Sequence, residues 1–438
     1  MSVAFALMLV VFITAFLIRI PLAYGMMAAG IVYLVASGTD LGLFAQVTMN
    51  GLYSKFVLLA VPLFIFMAQI MNDSTVTEKI FHFAHAIVGR MPGGLAQVNV
   101  VNSVIFSGMS GSAVADASGT GLVEIKAMAN GGYPKDFACA TTAATSTIGP
   151  IIPPSIPMVI YAYLSATSVG MLFAAGMLPG LLLAGMQMVL IFFIARRRRY
   201  PREMWPGLGQ TVGRFLVAVP ALLTPVILLG GIYTGVFTPT EAAAVASMYA
   251  LVLAFMVYRA LGWSGFYSMF QTTVRQSATV GLIVGGAFVI NYAVAIEGIP
   301  RAFADAILSL SQDPLVLLIL INLLFLVMGM FLDTMVLLLI MVPVVLPIMR
   351  LVGIDPVHFG VVIVLNMMIG LSTPPFGVLL FIVSSTTRTA LKDVIREIWP
   401  FLGIMIVALV VLILFPDIVL LSLIHISEPT RPILVSRM

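Results

Sequence analysis

From residue 169 to residue 195 the chain carries no Asp, Glu, Lys, Arg or His. About 20 such residues in a helix cross the apolar core of a bilayer. Comparable runs recur at 57–71, 215–232, 242–257, 315–332 and 400–415, so the chain reads as a set of membrane helices. Inside lipid every backbone donor and acceptor needs a partner within the protein, which a helix supplies for itself. Composition agrees: 61% of residues are hydrophobic and 9% are charged, against about 25% charged in soluble domains. No basic segment precedes residues 3–18, so this first run reads as a helix and not a cleavable signal. The one cysteine, Cys139, excludes an intramolecular disulfide and a cysteine metal cluster. The expectation is one lipid-embedded, all-α, multi-pass domain.

Charge placement orients it. Arg196–Arg199, Arg202 and Arg214 make a basic loop, which the positive-inside tendency puts in the cytoplasm. Threading the spans outward from that loop, with two hairpins that enter and leave on one side, brings further cations to the same face. These are Arg19, Lys79, Arg90, Lys126, Lys135, Arg259, Arg275, Arg388, Lys392 and Arg396. Lys55, Arg301 and Arg350 fall outside, as do the N-terminus and the end of the last helix. The asymmetry holds only if both hairpins are re-entrant.

The hairpins are found by repetition. The segments 93–131 and 314–353 are each followed by an interrupted helix, with TSTIGPIIPPS after the first and NMMIGLSTPPFG after the second. At a constant offset of 221, Gly108 matches Gly329, Gly149 matches Gly370, and Pro153-Pro154 matches Pro374-Pro375. Between these anchors GGYPKDFA resembles GIDPVHFG with a one-residue shift. Proline removes a backbone donor and clashes with the preceding turn, so the helix breaks at the same place twice. By the charge assignment one copy begins in the cytoplasm and the other outside. The fold expected is therefore a pair of inverted repeats, each a re-entrant hairpin plus an interrupted helix, which is how carriers build a midplane site.

Such breaks are tolerated where the freed backbone faces a cavity or a solute. The first tip, GMSGS, is rich in small residues and hydroxyls, and sodium is a hard cation suited to oxygen ligands. One sodium site is expected from Gly108, Ser110, Ser112, Thr145 and Gly149, and a second from Gly329, Asp333, Thr334, Gly370 and Thr373. Ser146, Asn366, Ser372 and Asp116 are candidates for the substrate cavity, and Pro153, Pro154, Pro374 and Pro375 shape the breaks. New helix N-termini beyond the breaks suit an anionic group.

Other readings of the same residues stand beside these. Small residues also serve close helix packing, and Asp116 reads either as a site residue or as a local cap. Thr238-Pro-Thr-Glu241 fits a capping box. The histidines, His82, His85, His358 and His425, have no zinc-site spacing. GMSGS has Ser112 where a hydrolase elbow needs glycine. No metal other than sodium, no cofactor, no catalytic residues and no nucleic-acid partner are expected.

At this point the longer motifs speak together. GGLAQVNVVNSVIFSGMSGSAVADASGTG, STIGPIIPPSIPMVIYA, GVFTPTEAAAVA and GLSTPPFGVLLF resemble the large membrane subunit of tripartite ATP-independent periplasmic transporters, the DctM family. The resemblance runs from about residue 18 to 417. It implies sodium-driven import of an organic anion, such as a C4-dicarboxylate, a sugar acid or another carboxylate, across a bacterial inner membrane. It also implies an elevator motion, a small membrane subunit (DctQ-type) and a periplasmic substrate-binding protein (DctP-type) as partners. A stand-alone ion-coupled carboxylate carrier of the same fold is the alternative. The layout expected is N-terminal scaffold helices at 1–92 and a first repeat core at 93–195, with its broken helix at 136–168. The basic loop and scaffold or connecting helices follow at 196–312. The second inverted repeat occupies 313–420, with its broken helix at 357–388. The tail 421–438 turns abruptly polar, unlike the family pattern, and is assigned no function.

Overall fold

The computed structural model of the chain describes residues 2–54, 56–74, 76–202 and 206–427, and every regular element among them is helical. Lys55 and the tail from 428 onward lie outside the described residues. An N-terminal group consists of α1 (Val3–Leu17), α2 (Leu22–Ala36), α3 (Gly42–Tyr53), α4 (Ala60–Asp73) and α5 (Val76–Val88). The first copy of the repeat follows. Its hairpin is α6 (Gly94–Ser110) returning through α7 (Ala113–Ser118) and α8 (Thr120–Asn130), and its interrupted helix is α9 (Lys135–Thr145) with α10 (Ile156–Ser165). The long α11 (Val169–Arg198) closes it. Four helices then intervene: α12 (Leu208–Tyr233), α13 (Pro239–Val252), α14 (Trp263–Ile296) and α15 (Ile299–Leu310). The second copy has the hairpin α16 (Pro314–Gly329) and α17 (Thr334–Leu351), the broken pair α18 (Pro356–Leu371) and α19 (Val378–Thr387), and the long α20 (Leu391–Leu414). A last helix, α21 (Pro416–Ser427), ends the described chain.

Local sequence sets the helix starts. Asp313 and Asp355 each precede a proline, and each side chain accepts two backbone N–H bonds, at 2.8 and 3.0 Å for Asp313 and at 2.7 and 3.0 Å for Asp355. Proline at the first helical position loses no bond, because that N–H has no intrahelical partner. Thr238 and Glu241 form a reciprocal capping box at the head of α13. Six of the helices described are long and apolar enough to cross a membrane: α11, α12, α13 with its π-helical end to Val257, α14, α17 and α20. Their outward faces keep large apolar side chains such as Phe193, Leu216 and Val226 exposed, as lipid contact requires.

The two copies grip each other reciprocally. In the first copy α10 packs on α17 of the second, while α19 of the second packs on α7 of the first. Likewise α9 packs on α20 and α18 on α11. Polar ties fix the direction. The Lys135 ammonium at the start of α9 donates to the Thr387 carbonyl at the end of α19 (2.5 Å), and the Tyr161 hydroxyl near the end of α10 donates to the Pro356 carbonyl at the start of α18 (2.6 Å). Arg198, at the end of α11, pairs at 2.6 Å with Glu397, near the start of α20. Equivalent helices thus run in opposite directions, with α11 lying directly against its counterpart α20, so the copies are inverted with respect to one another. One face gathers Lys135, Arg198, Arg388 and Lys392, and the opposite face carries Arg350 and Asp355.

This geometry gives a first expected result. Single cysteines at Arg198 and Asp355 should label from opposite sides of a sealed vesicle with an impermeant thiol reagent. Cys139 is buried and should stay silent. Labelling of both positions from one side would contradict the inversion.

Candidate functional site

Each hairpin tip meets a helix break. In the first copy α6 ends at Ser110, and the chain turns through Gly111 in the left-handed region (φ +60°), where glycine is favoured. Ser112 then caps α7, its hydroxyl accepting from the Ala115 N–H at 3.3 Å. A Cβ on Gly111 would stand 2.2 Å from the Pro154 carbonyl oxygen, so this tip rests directly on the break. Within the break Ser155 caps α10 and its hydroxyl donates to the Pro150 carbonyl. Thr145 donates to the Asn99 side chain, whose amide donates to Thr142 at 2.7 Å. Asn99 therefore ties the broken helix to the hairpin arm.

The second copy reaches the same arrangement with different residues. Gly329 and Gly370 touch backbone to backbone: a Cβ on Gly370 would lie 2.8 Å from the Gly329 carbonyl carbon. Asp333, at the offset position of Ser112, caps α17 by accepting from the Met335 N–H at 2.9 Å. Asn366, at the offset position of Thr145, donates to the Asn322 carbonyl (2.7 Å) and side-chain oxygen (2.9 Å). Thr373 donates to the Ile369 carbonyl at 2.6 Å. The Thr334 hydroxyl and the Asn366 side-chain oxygen are buried with no hydrogen-bond partner among the described residues. Orphaned oxygens of this kind are a fit for a small hard cation. The peptide bonds Pro153–Pro154 and Pro374–Pro375 are both cis.

Not every expected residue faces the break. Gly108 turns its open side to Pro225 of α12, where a Cβ would meet the ring at 2.7 Å, so it packs the hairpin on the scaffold. Gly149 is looser, with its nearest atom, the Ser146 carbonyl oxygen, 3.3 Å from an added Cβ.

Both tips open on one cavity of about 670 Å³. Ser110, Ser112, Asp333 and Thr334 line it from the hairpins. Its far wall is formed by Gln69 and Asn72 on α4 with Gln276 and Thr279 on α14. Gln69 donates to Gln276 at 3.0 Å, bridging the two wall helices. The acids on its surface are Glu78 and Asp333, and among the described residues no lysine or arginine lines it. The other cavity candidates sit elsewhere. Ser146 donates to the Thr142 carbonyl (2.8 Å), Ser372 to the Ala143 carbonyl (3.3 Å), and Asp116 accepts from Ser103 (2.7 Å); these three and Asn366 are buried in the packing behind the tips. The amide wall is the part that sequence reading missed, since a lone glutamine in an apolar run carries no motif.

Comparison with known proteins is consistent over most of the chain. The profile of the tripartite ATP-independent periplasmic transporter, DctM component, matches residues 8–418. The chain is 44% identical over 401 residues to the sialic acid TRAP transporter large permease protein SiaM of Vibrio cholerae, covering 92% of this chain and 94% of that one. It is 34% identical over 434 residues to the C4-dicarboxylate TRAP transporter large permease protein DctM of the same organism, covering 94% and 96%. Among solved structures the YdaH transporter of Alcanivorax borkumensis superposes with a TM-score of 0.59 over 86% of this chain and 88% of that one. At 17% identity it speaks for the fold alone. The inverted all-helical repeats, the run of membrane-length helices and this match along the chain have one reading: the protein is a multi-pass membrane permease, not an enzyme, and belongs to the DctM family, the large components of tripartite ATP-independent periplasmic transporters.

Proposed function

We propose that this permease imports an organic acid with one carboxylate and several neutral polar groups, coupled to sodium, across a bacterial inner membrane. The observation that carries the proposal is the charge of the cavity. Among the described residues an entering carboxylate meets Glu78 and Asp333 and no cationic side chain. In a site partly withdrawn from water, uncompensated like charges are costly. Sodium ions held at the two tips supply the missing positive charge, so anion binding and cation binding favour each other. The first site is Ser110, Ser112, Thr145 and the backbone of the tip at Gly111 and of the break at Gly149; the second is Asp333, Thr334, Thr373 and the backbone around Gly329 and Gly370. The N-terminus of α17 adds its dipole.

A dicarboxylate would bring a second charge with nothing to meet it, whereas the amides of Gln69, Asn72 and Gln276 offer donors and acceptors to hydroxyl and acylamino groups. Sialic acid, named for the Vibrio cholerae relative, is a substrate of that kind. Transport then consists of the two hairpins and broken helices sliding as a unit against α4, α12 and α14, with the basic face toward the cytoplasm. A small membrane subunit braces the scaffold and a periplasmic binding protein delivers substrate.

Reconstitution tests this. The purified chain alone in proteoliposomes should take up little substrate. Adding the small subunit, the liganded binding protein and an inward sodium gradient should restore uptake, with polyhydroxylated monocarboxylates competing better than C4-dicarboxylates. Full uptake by the chain alone points to a stand-alone carrier. Uptake indifferent to sodium removes the coupling.

A further inference from the structure

The first hairpin holds two carboxyl groups that the sites above do not use, and they are paired differently. Asp116 and Glu124 are each 1% exposed. Asp116 has both oxygens occupied, one by the Ser103 hydroxyl at 2.7 Å and one by Thr120. That is how an ionised carboxylate is satisfied, since it accepts and does not donate. Glu124 is different. One of its oxygens accepts from the Asn102 side-chain amide of α6. Among the described residues its other oxygen, Oε2, has no partner, and neither has the Asn102 side-chain oxygen.

A single proton resolves both vacancies. Placed on Glu124 Oε2 and donated to Asn102 Oδ1, it closes a carboxylic acid–amide ring in which each group donates once and accepts once. The requirement survives a flip of the Asn102 amide, because the ring then runs the other way and still needs one proton. The ionised alternative leaves a buried carboxylate oxygen and an amide oxygen facing no donor, which is costly in a packed interior. It would also set a second negative charge within electrostatic reach of Asp116.

Among the described residues no cation stands opposite. The helices packed on α8 are α6, α7, α9 and α19. α6 and α19 contain no titratable side chain, and α7 contributes only Asp116. On α9, Lys135 donates to the Thr387 carbonyl, Asp136 accepts from the Phe137 N–H, and Cys139 sits against Thr387. Lys126 of α8 itself and Arg388 beyond α19 are exposed.

The second hairpin supplies an internal control. At the offset of 221, Asn102, Ser103, Asp116 and Glu124 correspond to Leu323, Leu324, Leu337 and Val345. Shifting Asp116 and Glu124 by the one-residue slip seen between the copies gives Leu338 and Leu346. The second hairpin holds a buried asparagine, Asn322, one residue from the position of Asn102, but no acid at either carboxyl position, so packing of the hairpin does not call for Asp116 and Glu124. Ionisable residues at such depth are by default functional.

We propose that Glu124 is a proton-binding site, its proton shared with Asn102, and that transport runs while this proton locks α8 to α6. Loss of the proton leaves a carboxylate that the hairpin interior cannot solvate, and the hairpin no longer moves as a unit. In the complete reconstituted transporter at a fixed sodium gradient, uptake should fall on the alkaline side by about tenfold per pH unit once the proton is released. Glu124→Gln replaces the acid by an amide that closes the same ring permanently. It should keep most of the neutral-pH uptake and lose the alkaline fall. Asn102→Leu with Glu124→Val, the pair found in the second hairpin, should also give a flat profile if it folds.

Infrared difference spectroscopy on the purified chain supplies a readout independent of the sodium reading: the carboxylic-acid carbonyl band should disappear in Glu124→Gln. Identical pH profiles for wild type and Glu124→Gln would overturn the proposal, as would an unchanged carboxylic-acid band. A Glu124→Gln variant that loses sodium binding, measured with sodium alone, would assign the site to a metal cation and overturn it equally.

Discussion

A Gly370→Val variant should assemble in the membrane and transport essentially nothing. An added Cβ at this position would lie 2.8, 2.9 and 3.0 Å from the carbonyl carbon, oxygen and Cα of Gly329. These are backbone atoms, so no side chain can swing aside, and the hairpin would have to lift off the broken helix. Overpacking of this kind costs about 1–3 kcal/mol or more, and a β-branched side chain is stiff as well. The counterpart in the first copy is Gly111. Alanine there combines a left-handed backbone, costing roughly 1–2 kcal/mol, with a Cβ 2.2 Å from the Pro154 carbonyl oxygen. Both variants should lose at least about two orders of magnitude in initial uptake rate, since a kcal/mol or two of misplacement at a binding constellation is amplified in the transition between states. A control makes the result interpretable: Gly185→Ala meets nothing within 4 Å and should resemble wild type. Near-normal uptake by Gly370→Val would show that the tip does not seat on the break during transport.

The same glycines show how far sequence reading reaches. The repeat was legible because the Ile-Gly and Pro-Pro pairs recur at one offset, and two copies of an improbable break imply a shared architecture. Which glycine touches the break was not legible. The offset equates Gly108 with Gly329, yet the first tip seats through Gly111 while Gly108 faces Pro225. The reason is local: α6 runs on to Ser110 and ends in a left-handed glycine, whereas α16 stops at Gly329 and turns through 330–332. The hydroxyl and carboxyl candidates divided for a similar reason. Ser112 and Asp333 occupy helix caps at the tips and open on the cavity. Ser146 and Ser372 are spent on carbonyls of neighbouring turns and helices, and Asn366 spends its amide N–H on Asn322 behind the tip. Composition marks all of these as polar residues in apolar runs, and only the direction of the side chain separates them. The scaffold wall was beyond reach altogether, because Gln69 and Gln276 are 207 residues apart and meet only through the packing of α4 on α14.

Asp333 is the residue whose substitution should separate the two roles a polar tip can play. It caps α17 through the Met335 N–H, and it is also an acid on the surface of a cavity that has no cationic side chain among the described residues. Asparagine caps a helix about as well as aspartate, so Asp333→Asn keeps the first role and removes the negative charge. If that charge helps to hold sodium, the half-saturating sodium concentration should rise by about tenfold or more, equivalent to about 1.4 kcal/mol, with thermal stability unchanged. Asp333→Ala removes both roles and should add a stability loss of about 1 kcal/mol to the same defect in sodium dependence. Ser112→Ala, at the matching position of the first copy, should raise the sodium requirement less, because a neutral hydroxyl contributes less than a carboxylate. With two tips each holding an ion, wild-type uptake should rise sigmoidally with sodium, and disabling one tip should flatten the curve toward a hyperbola. The measurement is initial uptake against sodium concentration in the complete reconstituted transporter, paired with thermal unfolding of each variant. Should Asp333→Asn match wild type in both, Asp333 is a helix cap and the second tip holds its ion, if any, through backbone carbonyls alone.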